Sequence, residues 1–168
     1  MSILSYLFFK AVCLNYITVK RKMEAEKRTE AEIRVVLERM AKAYENKDVD
    51  AVMSCYAPDP DVVSIGTGKD EKYIGPEQLR RAHERDFAQS ESISMTFDGL
   101  SVSTAAAGKV AWFASDITVH VEASGKHLTL SGRLTGVVEN RGGKWLLVQG
   151  HFSLPAAEQP EGQSFPEQ

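Results

Sequence analysis

Residues 132–155 read Gly-Arg-Leu-Thr-Gly-Val-Val-Glu-Asn-Arg-Gly-Gly-Lys-Trp-Leu-Leu-Val-Gln-Gly-His-Phe-Ser-Leu-Pro. Two runs rich in β-branched and aromatic residues flank Asn140-Arg141-Gly142-Gly143, whose glycines supply the backbone freedom of a tight hairpin turn. Working back, Leu128 to Glu139 and Val110 to Glu122 are strand-like and are joined around Ser124-Gly125. Ile93, Met95 and Phe97 alternate with polar residues, the period of a half-buried strand. The second half of the chain therefore predicts a four-stranded antiparallel meander.

Helical signals lie upstream. Thr29-Glu30-Ala31-Glu32 fits a capping box, and Ile33, Val36, Leu37, Met40 and Tyr44 follow at helical spacing. Asp48 is placed to cap a short second helix carrying Val49, Val52, Met53 and Tyr56, and Pro58-Asp59-Pro60 ends it. Val62 to Ile65 reads as a short strand and Gly66 to Lys72 as a polar loop. Gly75-Pro76-Glu77 opens a third helix, to Gln89, with Leu79, Ala82, His83 and Phe87 on one side. Helices segregated from an antiparallel sheet define an α+β fold.

The whole chain has 168 residues, 43% apolar and 26% charged, with net charge −3. This fits one domain and excludes wholesale disorder, a collagen or a coiled coil. The mild acidity gives no basic footprint, so no nucleic-acid partner is expected. Cys13 and Cys55 make neither a disulfide framework nor metal-ligand spacing. No dinucleotide-binding, Walker A or nucleophile-elbow motif is present, and Gly66-Thr67-Gly68-Lys69 lacks the spacing of a phosphate loop. No metal and no cofactor are expected.

Three regions are expected. Residues 1–22 form an apolar N-terminal extension, residues 23–155 the domain, and residues 156–168 a polar, flexible tail rich in Pro, Glu and Gln. The extension reads as a weak membrane anchor, as an extra docking helix, or as a stretch upstream of a start at Met23. Membrane contact is the least favoured of these, and a cytoplasmic location is expected.

The order of elements resembles the SnoaL-like branch of the nuclear transport factor 2-like (ketosteroid isomerase-like) superfamily. Arg133-Leu134-Thr135, Gly143-Lys144-Trp145 and His151-Phe152-Ser153-Leu154-Pro155 carry that resemblance, together with Asp48-Val49-Asp50-Ala51-Val52 after the first helix. It implies a cone: a strongly curved antiparallel sheet wrapped around three N-terminal helices, with a central apolar pocket. It also implies a homodimer formed through the outer face of the sheet. The superfamily holds isomerases, cyclases, dehydratases and plain binding domains, so the pocket must decide function.

Alternation along strands gives the expected pocket residues. Trp112, Ala114, Asp116, Thr118 and His120 form one row. Arg133, Thr135 and Val137 form a second, and Trp145, Leu147, Gln149, His151 and Ser153 a third. If these rows face inward, Asp116, His151 and Arg133 are the candidate catalytic set: a base, a proton shuttle and an oxyanion holder. Trp112, Tyr56, Thr135, Trp145, Gln149 and Ser153 would line the ligand site. Phe113, Ile117, Val119 and Val121 would then form an outer apolar stripe for a second subunit.

The competing readings are structural. Asp116 and Arg133 would simply pair across adjacent strands, His151 would bond a carbonyl, and His83 would pack helix against sheet. Three functions follow: a homodimeric domain binding a small apolar, partly anionic or carbonyl-bearing molecule; an isomerase, cyclase or dehydratase; or an interaction scaffold with a vestigial pocket. Steroid isomerisation is disfavoured, because no second acid can be placed beside a tyrosine to form the required oxyanion hole.

Overall fold

The computed structural model describes residues 26–105 and 107–165. The expectations for residues 1–22 and for Cys13 fall outside them. Three helices, α1 (26–45), α2 (Val49–Met53) and α3 (Pro76–Gln89), pack on one six-stranded sheet. Its strands are β1 (Val63–Ile65), β2 (Lys72–Ile74), β3 (Ser92–Thr104), β4 (Val110–Ala123), β5 (Lys126–Arg141) and β6 (Lys144–Ser153).

α1 buries Ile33, Val36, Leu37, Met40 and Ala43, the apolar stripe of the sequence. Its start differs from expectation. The helix already runs at residue 26, so Thr29 is inside it and no capping box forms. The Glu32 carboxylate instead accepts hydrogen bonds from Arg28 Nε and Trp145 Nε1, each at 2.8 Å. That ties α1 to β6. α2 is capped as expected, with the Asp48 carboxylate accepting from the Ala51 amide at 2.9 Å. α3 opens on Gly75, whose φ of 80° favours glycine, followed by Pro76 at its first position.

The strand order is β2-β1-β6-β5-β4-β3. The expected antiparallel meander occupies β3 to β6, with β4 and β5 paired over fourteen residue pairs without a register shift. Two features are additional. β2 begins at Lys72, the last residue of the stretch read as a polar loop, takes in Tyr73 and Ile74, and pairs with β1. β1 in turn runs parallel to β6, Val63 opposite Gln149 and Ile65 opposite His151. The α+β cone is therefore built on a curved, unclosed, mixed sheet.

The inner face of the sheet supplies Ala111, Phe113, Ile117 and Val119 from β4, Leu134 and Val138 from β5, and Trp145 and Leu147 from β6. Gly136 has a steric reason to be glycine. A Cβ there would lie 2.7 Å from the Phe113 ring, which crosses β5 at this point. Cys55 is buried with a free thiol. Among the described residues, no helix is long and apolar enough to cross a membrane.

Candidate functional site

The helices do not fill the hollow of the sheet. A cavity of about 380 Å³ remains, walled by Met40, Leu79, Ala82, Ile93, Ile117, Val119, Leu130, Leu134 and Leu147. Polar groups enter this apolar wall from three elements: Tyr44 from α1, His83, Arg85 and Asp86 from α3, and Ser64, Glu71 and Tyr73 from the β1–β2 hairpin and its loop. Tyr56, which follows α2, also lines it.

His83 is at the centre of the polar set and is 5% exposed. Its Nδ1 lies 2.8 Å from the Tyr44 hydroxyl, and the two rings meet edge to face. The Tyr56 ring also approaches, tilted, 5.8 Å between centroids. Burial pushes the imidazole down to about 4, so it is neutral at physiological pH. Burial also pushes the Tyr56 hydroxyl up to about 12 and the Tyr44 hydroxyl well above the usual phenol range. Two buried side-chain polar atoms have no hydrogen-bond partner among the described residues: His83 Nε2 and the Tyr73 hydroxyl. Both residues line this cavity. Such atoms are costly unless something else satisfies them.

A charged cluster lies beside them. Arg85 bridges Glu71 at 2.8 Å and Asp86 at 3.0 Å, with its guanidinium over the Tyr73 ring, 5.8 Å from the centroid. Burial holds the Asp86 carboxyl above its ordinary value, and the adjacent guanidinium opposes this. Two carboxylates against one guanidinium leave this rim without excess positive charge. Glu71 also accepts from the Gly68 amide at 2.8 Å. A Cβ on Gly68 would lie 2.9 Å from the Glu71 carboxyl carbon. The Gly66-Thr67-Gly68 turn thus wraps its own carboxylate, not a phosphate.

The expected catalytic set is placed elsewhere. Asp116 and Arg133 are exposed Cα partners on the outer face of β4 and β5. The row Ala111, Phe113, Ile117 and Val119, with buried Ser115 in its middle, is the one that packs on the helices, so its alternates face out. Trp112 is 49% exposed for the same reason. Thr135 is also exposed on that face. The row along β6 is split by a bulge: Val137 pairs with Gln149 but Val138 with Leu147, leaving Val148 as the extra residue. Trp145 and Leu147 therefore point inward. Beyond the bulge, Gln149, His151 and Ser153 share register with the outward Val137, Thr135 and Arg133. His151 is exposed, at the cavity's edge. Of the expected ligand-site residues, Tyr56 lines the cavity, whereas buried Trp145 is engaged with Glu32.

Sequence reasoning assigned His83 to packing and did not single out Asp86, Arg85, Tyr73 or Glu71. A signal existed on α3. His83 and Asp86 interrupt the Leu79, Ala82 and Phe87 stripe at i, i+3 spacing, and a polar pair on a buried helix face needs a reason.

The comparisons agree with this architecture. The family model described as a SnoaL-like domain matches residues 33–157. No curated protein matches the chain. Among solved structures, a nuclear transport factor 2-like superfamily protein from Salmonella enterica superposes with a TM-score of 0.72 at 15% identity, covering 83% of this chain and 99% of that one. A candidate scytalone dehydratase from Novosphingobium aromaticivorans gives 0.72 at 9% identity, covering 80% and 89%. A candidate dehydratase of the same superfamily from Streptomyces avermitilis gives 0.67 at 18% identity, covering 77% and 99%.

Proposed function

This chain belongs to the SnoaL-like domain family, and on that basis we propose that its inner cavity binds a small, mostly apolar, neutral molecule bearing a carbonyl or hydroxyl oxygen. The observation that carries this reading is the pair of unpartnered buried polar atoms, His83 Nε2 and the Tyr73 hydroxyl, in one apolar cavity of about 380 Å³. That volume suits a one- or two-ring molecule. The charge balance of Glu71, Arg85 and Asp86 favours a neutral ligand over an anion.

The test is thermal unfolding against a panel of one- and two-ring ketones and phenols. A binder at a hundred times its Kd adds about 2.7 kcal/mol of stability. Replacing Ala82 with Phe, which projects into the cavity, removes the shift for every binder. Shifts that persist in A82F place binding elsewhere and reject the reading.

A second reading is favoured by Asp86. A half-buried carboxylate held above its ordinary value, three positions along α3 from a neutral imidazole that lines the same cavity, is equipped to take a proton from the carbon next to a bound carbonyl. The C–H bond breaks, the proton passes to Asp86, and the enolate oxygen is held by a neighbouring donor. An isomerase or dehydratase would proceed from that enolate, which agrees with the names given to two of the structural neighbours. Deuterium uptake at the α-carbon of a bound ketone in D2O, followed by NMR, tests it. Uptake should fall at least a hundredfold in Asp86→Asn, and equal uptake removes Asp86 as the base.

A further inference from the structure

We propose that His83 presents Nε2–H to the ligand as a hydrogen-bond donor, with Tyr44 as the positioning residue that fixes this tautomer, so that the cavity selects molecules with an acceptor oxygen. The inference rests on the binding reading above and adds the direction of the decisive hydrogen bond.

Donor and acceptor strengths support it. Among the described residues the Tyr44 hydroxyl has one hydrogen-bond partner, His83 Nδ1 at 2.8 Å. If Tyr44 donates, Nδ1 is satisfied as acceptor, the neutral ring carries its hydrogen on Nε2, and Nε2–H and the phenol oxygen's lone pair are left over. If instead Nδ1–H donates to the Tyr44 oxygen, the Tyr44 proton and the Nε2 lone pair are left over. The numbers are equal, so strength decides. A phenol is the stronger donor and a pyridine-type nitrogen the stronger acceptor, so the first arrangement makes the stronger bond and leaves the weaker acceptor unmet. Burial acts in the same direction. It keeps the phenol protonated and the imidazole uncharged, so neither a phenolate nor an imidazolium competes. Two further ring contacts limit the imidazole's freedom: Tyr44 at 5.5 Å and Tyr56 at 5.8 Å between centroids. The Tyr73 hydroxyl, the other unpartnered atom, is able to donate or accept. The ligand class that follows is a ketone, a quinone or an ether oxygen on an apolar skeleton. An ammonium, which only donates, has no partner at His83.

Two measurements test this, and the first needs no ligand. Nitrogen-15 NMR of the histidine side chains in the full chain, assigned with His83→Gln, should show a pyrrole-type Nε2 and a pyridine-type Nδ1 at pH 7. In Tyr44→Phe the two signals should move toward each other as the tautomer is released. A pyridine-type Nε2 in the unaltered protein overturns the proposal. The second compares 1-tetralone with its hydrocarbon counterpart tetralin by calorimetry. The ketone should bind roughly tenfold more tightly, and most of that preference should vanish in Tyr44→Phe. Equal affinities overturn the donor assignment while leaving the cavity reading intact. If neither compound binds and no ketone or phenol of the panel stabilises the unaltered protein, the cavity reading fails, and the NMR result still decides the tautomer.

Discussion

His83 carries a penalty that the rest of the protein must outweigh. Its folded value of about 4 lies below the ordinary 6.5, so the unfolded chain binds its proton first as pH falls. Stability tied to this group is fully present above pH 6.5 and is lost between about 6.5 and 4. The loss amounts to roughly 3 kcal/mol for a shift of this size. Asp86 works in the opposite sense. Its raised value means that ionisation, as pH rises past the carboxylate range, costs the fold stability. Tyr44, Tyr56, Glu71, Tyr73, Arg85 and His151 are the other titratable groups around the cavity. Denaturant unfolding at pH 7 and pH 5 should show the decline, and His83→Gln should flatten most of it. An unchanged slope in that variant assigns the decline to other groups. At this scale the sequence was partly readable. A histidine and an aspartate on the inward stripe of α3 were visible, but the Tyr44 contact that gives His83 a role joins residues 39 apart and leaves no local mark.

At the scale of elements, periodicity located α2 and α3 and all four strands of the meander, because each has caps, turns or alternation written into its own residues. It failed where the information is not local. On β4 both rows are substantial, with Trp112 in one and Phe113 in the other, and only packing against helices decides which is inside. On β6 the bulge at Val148 reverses the parity of everything after it, so Gln149, His151 and Ser153 depart from the row of Trp145 and Leu147. The link between α1 and β6 gives a direct check. Trp145→Phe keeps the apolar body and deletes the indole donor to Glu32, and it should cost about 1–2 kcal/mol in urea unfolding. Gly136→Val should cost more, about 1–3 kcal/mol, because the Phe113 ring occupies the space of the new side chain. If Gly136→Val is neutral, the close approach of that ring to β5 is not a constraint on the fold.

For the whole molecule, the outer face of the sheet is the surface left uncovered by the helices. Its middle rows carry Ser103, Trp112, Val137 and Gln149, then Ser101, Ala114, Thr135 and His151, then Asp98, Asp116, Arg133 and Ser153. This face is more polar than the stripe expected from the sequence, and Trp112 is its large exposed aromatic. We propose that a second copy covers it, with Trp112 as anchor. Light scattering should then give about 37 kDa, twice the 18.6 kDa of one chain, and Trp112→Asp should halve it. A monomer at millimolar concentration excludes this pairing.

The parallel seam between β1 and β6 bears on how the protein comes to exist. Residues 63–65 join the rest of the sheet only through residues 149–151, 86 positions later in the sequence. During synthesis the hairpin at the cavity's edge therefore waits, unpaired on that side, until those residues have been made. A chain stalled before β6 lacks the strand that joins β1 to β5, so its cavity has no wall there and both of those edges stay open to wrong partners.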